Sequence, residues 1–170
     1  MVRKLALTVF VILLSVFVCN NCSLTSGDLE IEAQVIYEMG GPQPVARETF
    51  YLLNTGIENL PELDKAYREN FYEKWYDQTI GKTQKSRADF VMEEGRNIWE
   101  PHVIQSIKTD FQGRATFENV PPGDYWVFGR TQARGDKHVS WDVKVTIKQG
   151  KNKVILSNDN YGMHWPDSGT

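Results

Sequence analysis

Cysteine is almost missing from this chain. Of 170 residues only two are Cys, Cys19 and Cys22, and both lie in the first 22 positions. Beyond them no thiol remains, which excludes a disulfide framework and a cysteine nucleophile from the rest of the chain. Histidine is nearly as scarce: His102, His138 and His164 include no His-x-x-x-His pair and no neighbouring Glu, so a zinc site of the helical type is excluded. Convergence of these three in space, with Asp110 or Asp167, is the one route left to a histidine metal site. No Gly-x-Ser-x-Gly occurs, which removes the usual serine-hydrolase elbow. Neither sign of charge dominates, with 19 Lys and Arg against 22 Asp and Glu. A mildly acidic, unclustered charge set argues against nucleic acid and against electrostatic attraction to anionic lipid. Internal repeats and low-complexity tracts are also absent.

What is present describes a folded domain with an N-terminal address. Hydrophobic residues make up 41% and charged residues 24%, in a length suited to one domain with a real core. Arg3 and Lys4 precede an uncharged apolar run, Leu5 to Val18, of 14 residues. That is short of the ~20 needed to span a bilayer as a helix. A basic start, a short apolar run and the polar stretch Asn20 to Asp28 predict a secretory signal over residues 1–22 and a linker over 23–28, with a retained membrane anchor as the alternative. Cys22 is the favoured acceptor for lipidation in a relaxed lipoprotein signal; Cys19 follows bulky Phe17 and Val18 and fits less well. Ordinary cleavage, for example after Thr25, is the competing reading. Loss of Arg3 and Lys4 with the signal leaves 17 basic against 22 acidic residues, a net charge of −5.

Periodicity then predicts strands. Leu29, Ile31, Ala33 and Val35 alternate with Glu30, Glu32 and Gln34, a half-buried strand. Tyr37 to Pro44 reads as a turn, and Val45 to Leu53 as the second strand. About 45 residues follow before strand signals return, too many for a plain loop. Leu60, Leu63, Tyr67, Phe71 and Trp75 recur at helical spacing, with Asn59 as cap and Pro61 in the first turn. A second helix is expected from Ser86 through Phe90 and Val91, with Asp89 as the capping-box partner and Gly95 near its end. From His102 short strands resume: His102–Lys108, Arg114–Phe117, Asp124–Arg130, the strongly alternating Val139–Ile147, and Val154–Leu156. A polar tail over 159–170 completes the chain.

The turns between these strands carry a resemblance. Thr109-Asp110, Gly113, Phe117, Val120-Pro121-Pro122-Gly123 and Tyr125 stand in an order similar to the carboxypeptidase regulatory-like family, which is related to transthyretin-like and collagen-adhesin B-type modules. Val35, Gly40, Pro42, Pro44, Val45 and Ala46 resemble that family's opening hairpin. The likeness spans about residues 29–54 and 102–158. It implies a mainly β, transthyretin-like or prealbumin-like β-sandwich of about seven strands over 29–158, with the helical insertion (about 57–100) between strands 2 and 3. It further implies a non-catalytic accessory domain that needs no cofactor.

Three relatives of that fold carry chemistry, and this chain departs from each. Transthyretin-like hydrolases end in Tyr-Arg-Gly-Ser, whereas Tyr161 here is followed by Gly162, Met163 and His164. Intradiol dioxygenases need two His and two Tyr on iron. Pilin-type modules join a first-strand Lys to a late Asn; Asn158 is suitably late, but residues 29–53 contain no Lys. The aromatics of the insertion leave the open question. Tyr72, Trp75, Tyr76 and Trp99 are the candidate contacts for a ligand or partner, weighed against ordinary packing of large rings. The sequence thus predicts an exported, periplasmic, cell-surface or membrane-anchored binding module of a bacterial envelope, contacting a protein or glycan and no nucleic acid. A structural subunit of an envelope assembly is the alternative, and a small hydrolase the least favoured reading.

Overall fold

The computed structural model of the chain describes residues 26–37, 40–76, 87–132 and 138–160, with the side chains of 70–76 and 87–88 outside that description. The expected signal region with Cys22, and the tail from residue 161, therefore also lie outside it. Among the described residues no helix is long and apolar enough to cross a membrane.

Strand β1 (Gly27–Tyr37) follows the alternation of its sequence: Leu29, Ile31, Ala33 and Val35 are buried. One edge of β1 pairs antiparallel with β5 (Arg114–Val120) and, beyond it, with the short β2 (Gly41–Pro44). The other edge pairs in parallel with β8 (Gly150–Leu156), so the first and last described strands lie side by side. The second sheet is antiparallel throughout, in the order β4 (Val103–Lys108), β3 (Thr49–Leu53), β6 (Gly123–Gln132), β7 (His138–Ile147). The described residues thus form a mainly β sandwich of two four-stranded sheets.

Strands β5 and β8 are longer than the sequence reading had them, reaching Val120 and starting at Gly150, and two further differences change the strand pattern. Residues 41–44 form strand rather than turn, because prolines are tolerated on a short edge strand that need not donate from every residue. The second long strand begins at Thr49 and not at Val45. The Thr109 hydroxyl donates to the Val45 carbonyl at 2.7 Å, and Arg47 turns with φ 62. The helical insertion is where it was expected along the chain, and the added β2 makes it follow the third strand.

Between the sheets Phe50, Leu52, Phe117, Val127, Trp141 and Ile147 meet the buried face of β1. Each such side chain contributes roughly 1.5–3 kcal/mol by leaving water. Trp141 satisfies its indole N–H on the Ser157 carbonyl at 3.0 Å. Phe50 lies across Gly129, where an added Cβ would meet its Cδ1 at 2.3 Å. The turn from β4 to β5 is tied by Asp110, whose Oδ1 accepts from the N–H groups of Gln112 and Arg114 at 2.7 and 2.9 Å. Gly113 completes that turn at φ +74.

A second core lies on the opposite face of the β4-β3-β6-β7 sheet, under the insertion. The insertion runs through a 3-10 turn (Ile57–Asn59), α1 (Pro61–Tyr76), α2 (Arg87–Glu93), α3 (Arg96–Trp99) and a second 3-10 turn (Glu100–His102). Pro61 opens α1, where its missing N–H costs nothing, and Glu62 and Asp64 complement the positive end of the helix. Leu60, Leu63, Phe90 and Val91 bury against Leu53 and Phe128 of the sheet. Gly95 ends the α2 segment: its N–H returns to the Phe90 carbonyl at 2.8 Å. Strand alternation explains the three layers, since Phe50 and Leu52 point to one core while Tyr51 and Leu53 point to the other.

Candidate functional site

The insertion leaves the sheet after Leu53 and rejoins it before Val103, and the two crossings are tied together. The Asn54 N–H donates to the His102 carbonyl at 3.1 Å. Their side chains also meet, with His102 Nδ1 3.0 Å from Asn54 Oδ1. With that oxygen accepting, Nδ1 carries the proton, and in neutral imidazole Nε2 is left as an acceptor.

Beside this junction lies an open groove of about 630 Å³, lined by Asn54, Thr55, Asn59, Leu60, Pro61, Glu62, Ile98 and His102. Its wall is set by how the 3-10 turn descends on the sheet. Gly56 lies so close to Trp126 that a Cβ would sit 2.6 Å from the indole Nε1. Ile57 is fully buried in the second core. The Glu58 N–H donates to Asp142 Oδ2 at 3.4 Å, reaching across to β7.

Asp142 is the most perturbed carboxyl among the described residues. Burial pushes it up from 3.8 to about 6, opposed by the backbone N–H groups of Glu58 and Ile57. Its Oδ1 is buried with no hydrogen-bond partner. Two other carboxyls are shifted the opposite way by solvent-facing lysines. Lys153 hydrogen-bonds Glu32 at 2.7 Å and holds that carboxyl below its ordinary range; Lys144, with Thr146, does the same for Asp124.

Of the four aromatics nominated from the sequence, the structure places the side chain of Trp99 alone. Trp99 is 1% exposed and cannot serve as a surface contact. Its indole N–H donates to the Val91 carbonyl at 2.8 Å, and its ring meets Tyr51 and Phe128 edge-on at 5.0 and 5.1 Å. The cause is the large apolar area that the outer sheet face offers to the insertion. Tyr72, Trp75 and Tyr76 fall on the backbone of α1, but their side chains lie outside the described residues, as does Cys22.

The two described histidines are held apart in separate settings. His102 belongs to the groove, whereas His138 meets Asp89 at 3.7 Å, with Arg130 bound to both. That trio fastens α2 to the ends of β6 and β7. His164 and Asp167 lie outside the described residues, and Asp110 is committed to its turn. Among the described residues no three His, Cys, Asp or Glu side chains are grouped to hold a metal. Asn158, the late Asn of the cross-link comparison, does meet the first strand: Oδ1 accepts from the Ile36 N–H and Nδ2 donates to its carbonyl, both at 2.9 Å. It thereby continues the β1/β8 pairing with a side chain.

Sequence reasoning did not nominate Asn54, Thr55, Asn59 or Glu62. The available signal was positional: polar residues concentrate where an insertion departs from a strand, and His102 stands where it returns.

No protein-family model matches the chain, and no curated protein matches it. Solved structures give weaker likenesses. A proposed carbohydrate binding protein from Pseudomonas aeruginosa aligns at 17% identity and TM-score 0.43, covering 80% of this chain and 90% of its own. A minor pilin from Streptococcus agalactiae aligns at 14% and 0.40, covering 86% of this chain and 49% of its own. A basal pilin from Lactobacillus rhamnosus GG aligns at 13% and 0.38, covering 79% and 97%. With every one of these TM-scores under 0.5, the likenesses carry no argument about partner or activity.

Proposed function

We propose that this protein is an exported, non-catalytic accessory module of a bacterial cell envelope that engages a protein or glycan partner through the groove at the base of its insertion. The groove is the observation that carries this reading. It gathers carboxamides, a hydroxyl, a carboxylate and an imidazole beside apolar Leu60, Pro61 and Ile98, the mixture that orients a polar ligand. Export is supported by Arg3 and Lys4 ahead of the apolar run Leu5 to Val18. The resemblance of its turns to carboxypeptidase regulatory-like domains supports an accessory role. A non-catalytic role is supported by the setting of His102: its described side-chain partner is the Asn54 carboxamide and not a carboxylate, and among the described lining residues Thr55 supplies the one hydroxyl.

The assembly-subunit alternative has less support. Lys153 bridges Glu32 and Glu30 at 2.7 and 3.6 Å across the outer face of β1 and β8, so the exposed Ile36 and Ile155 of these strands stand among solvated charges. A photo-crosslinking side chain placed at Thr55 tests the binding reading in the native envelope, with one at exposed Glu118 on the other sheet as control. Discrete crosslinked species from Thr55 and none from Glu118 are expected. Equal labelling from both positions, or none from Thr55, overturns it.

A further inference from the structure

We propose that the groove selects a ligand bearing a primary ammonium group, carried by an amino sugar or by a lysine side chain. This rests on the binding reading above and specifies its ligand.

The argument begins with charge. Among the described lining residues Glu62 is the one carboxylate, and none is Lys or Arg. A phosphate or carboxylate ligand would face Glu62 with no cation to offset it. The start of α1 offers an anion little in return. Pro61 has no N–H, the N–H groups of Leu63 and Asp64 are turned back to the Leu60 carbonyl, and Glu62 and Asp64 already occupy the first turn.

Hydrogen-bond polarity points the same way. Asn54 Oδ1 engages His102 Nδ1, which fixes the imidazole at the groove's edge. Glu62 adds two carboxylate oxygens that only accept, whereas the carboxamides of Asn54 and Asn59 and the Thr55 hydroxyl can each accept or donate. An ammonium group has three donors and no acceptor, the complement of the Glu62 carboxylate, and the amide and hydroxyl oxygens beside it can take the remaining donors. Its bond to an ionised carboxylate is also stronger than a neutral one. Leu60, Pro61 and Ile98 supply apolar contact for the carbons that carry the amine.

Both sources share the ammonium, and acetylation abolishes it in each. The test is a two-dimensional amide NMR titration of the 15N-labelled full chain with four probes: glucosamine, N-acetylglucosamine, a lysine-containing peptide and the same peptide Nε-acetylated. Amide shifts at Thr55, Asn59, Glu62 and Ile98 are expected from the amine probes and not from the acetylated ones. In Glu62→Gln the same shifts should require at least tenfold more ligand. Glu62 is exposed, so the variant keeps the fold. Whichever amine binds more tightly identifies the source. Acetylated probes that perturb these amides equally overturn the ammonium proposal while leaving a groove that binds. Shifts from the amine probes that persist undiminished in Glu62→Gln overturn it too. Silence of the groove amides to all four probes likewise overturns it, and the crosslinking experiment then decides separately whether the groove binds anything.

Discussion

Replacing Asp142 by Asn should stabilise this protein at neutral pH and leave it unchanged in acid. The carboxyl titrates near 3.8 when exposed and near 6 in the fold, raised chiefly by burial. A gap of that size corresponds to roughly 3 kcal/mol, an upper value because Asp142 keeps some contact with solvent. The sign follows from proton linkage. Because the folded value is the higher one, the folded state takes up a proton that the unfolded state releases anywhere between the two values. The contribution of Asp142 is therefore most favourable below about pH 4 and is lost as pH rises to about 6. Asn has the same shape and no charge, and its carbonyl oxygen can still accept from the Glu58 N–H, now 3.4 Å from Asp142 Oδ2. Urea denaturation of both proteins supplies the assay, at about pH 4 and about pH 7.5. The variant should gain about 1–3 kcal/mol at the higher pH and close to nothing at the lower. Taking the difference between the two proteins cancels the opposite trend of Glu32 and Asp124, whose carboxyls are lowered. An equal difference at both pH values, or a less stable variant at pH 7.5, would refute the reasoning.

The other expectations concern packing and strand pairing. Trp99→Ala should cost about 3–5 kcal/mol by emptying the second core, and Trp99→Phe about 1–2 kcal/mol by leaving the Val91 carbonyl without its donor; chemical denaturation reads both. Gly129→Ala should cost about 1–3 kcal/mol, because the new methyl meets the Phe50 ring, and a thermal melt shows it. Asn158→Ala removes both hydrogen bonds to Ile36, so hydrogen exchange at the Ile36 amide should speed up while the amides of β6 and β7 keep their protection.

The insertion does two separate jobs in this molecule. Its apolar side covers a sheet face that would otherwise expose Leu53 and Phe128 to water, and both are fully buried beneath it. Its ends, pinned by the Asn54 and His102 pair and by the descent of Gly56 onto Trp126, shape the groove. The buried aromatic cluster and the polar groove are thus opposite consequences of one segment. Stability of the first is a condition for the geometry of the second.

The sequence by itself determined which residues alternate, where the chain must turn and where helices interrupt the strands. Leu29 to Val35, the Asp110–Gly113 turn and the start of α1 at Pro61 all follow from local rules, because period, φ preference and capping act over a few residues. Tertiary structure decided the rest. That Trp99 lies inside, that Pro42 and Pro44 sit on a paired edge, and that Asn158 pairs with Ile36 depend on which surfaces meet across the chain. The groove belongs to the same class: its lining residues run from 54 to 62 and then resume at 98 and 102, brought together when a sheet face buries the insertion between them. Asp142 becomes unusual for the same reason, since a carboxylate at an alternating strand position acquires its shifted proton affinity only when a distant turn folds over it and excludes water.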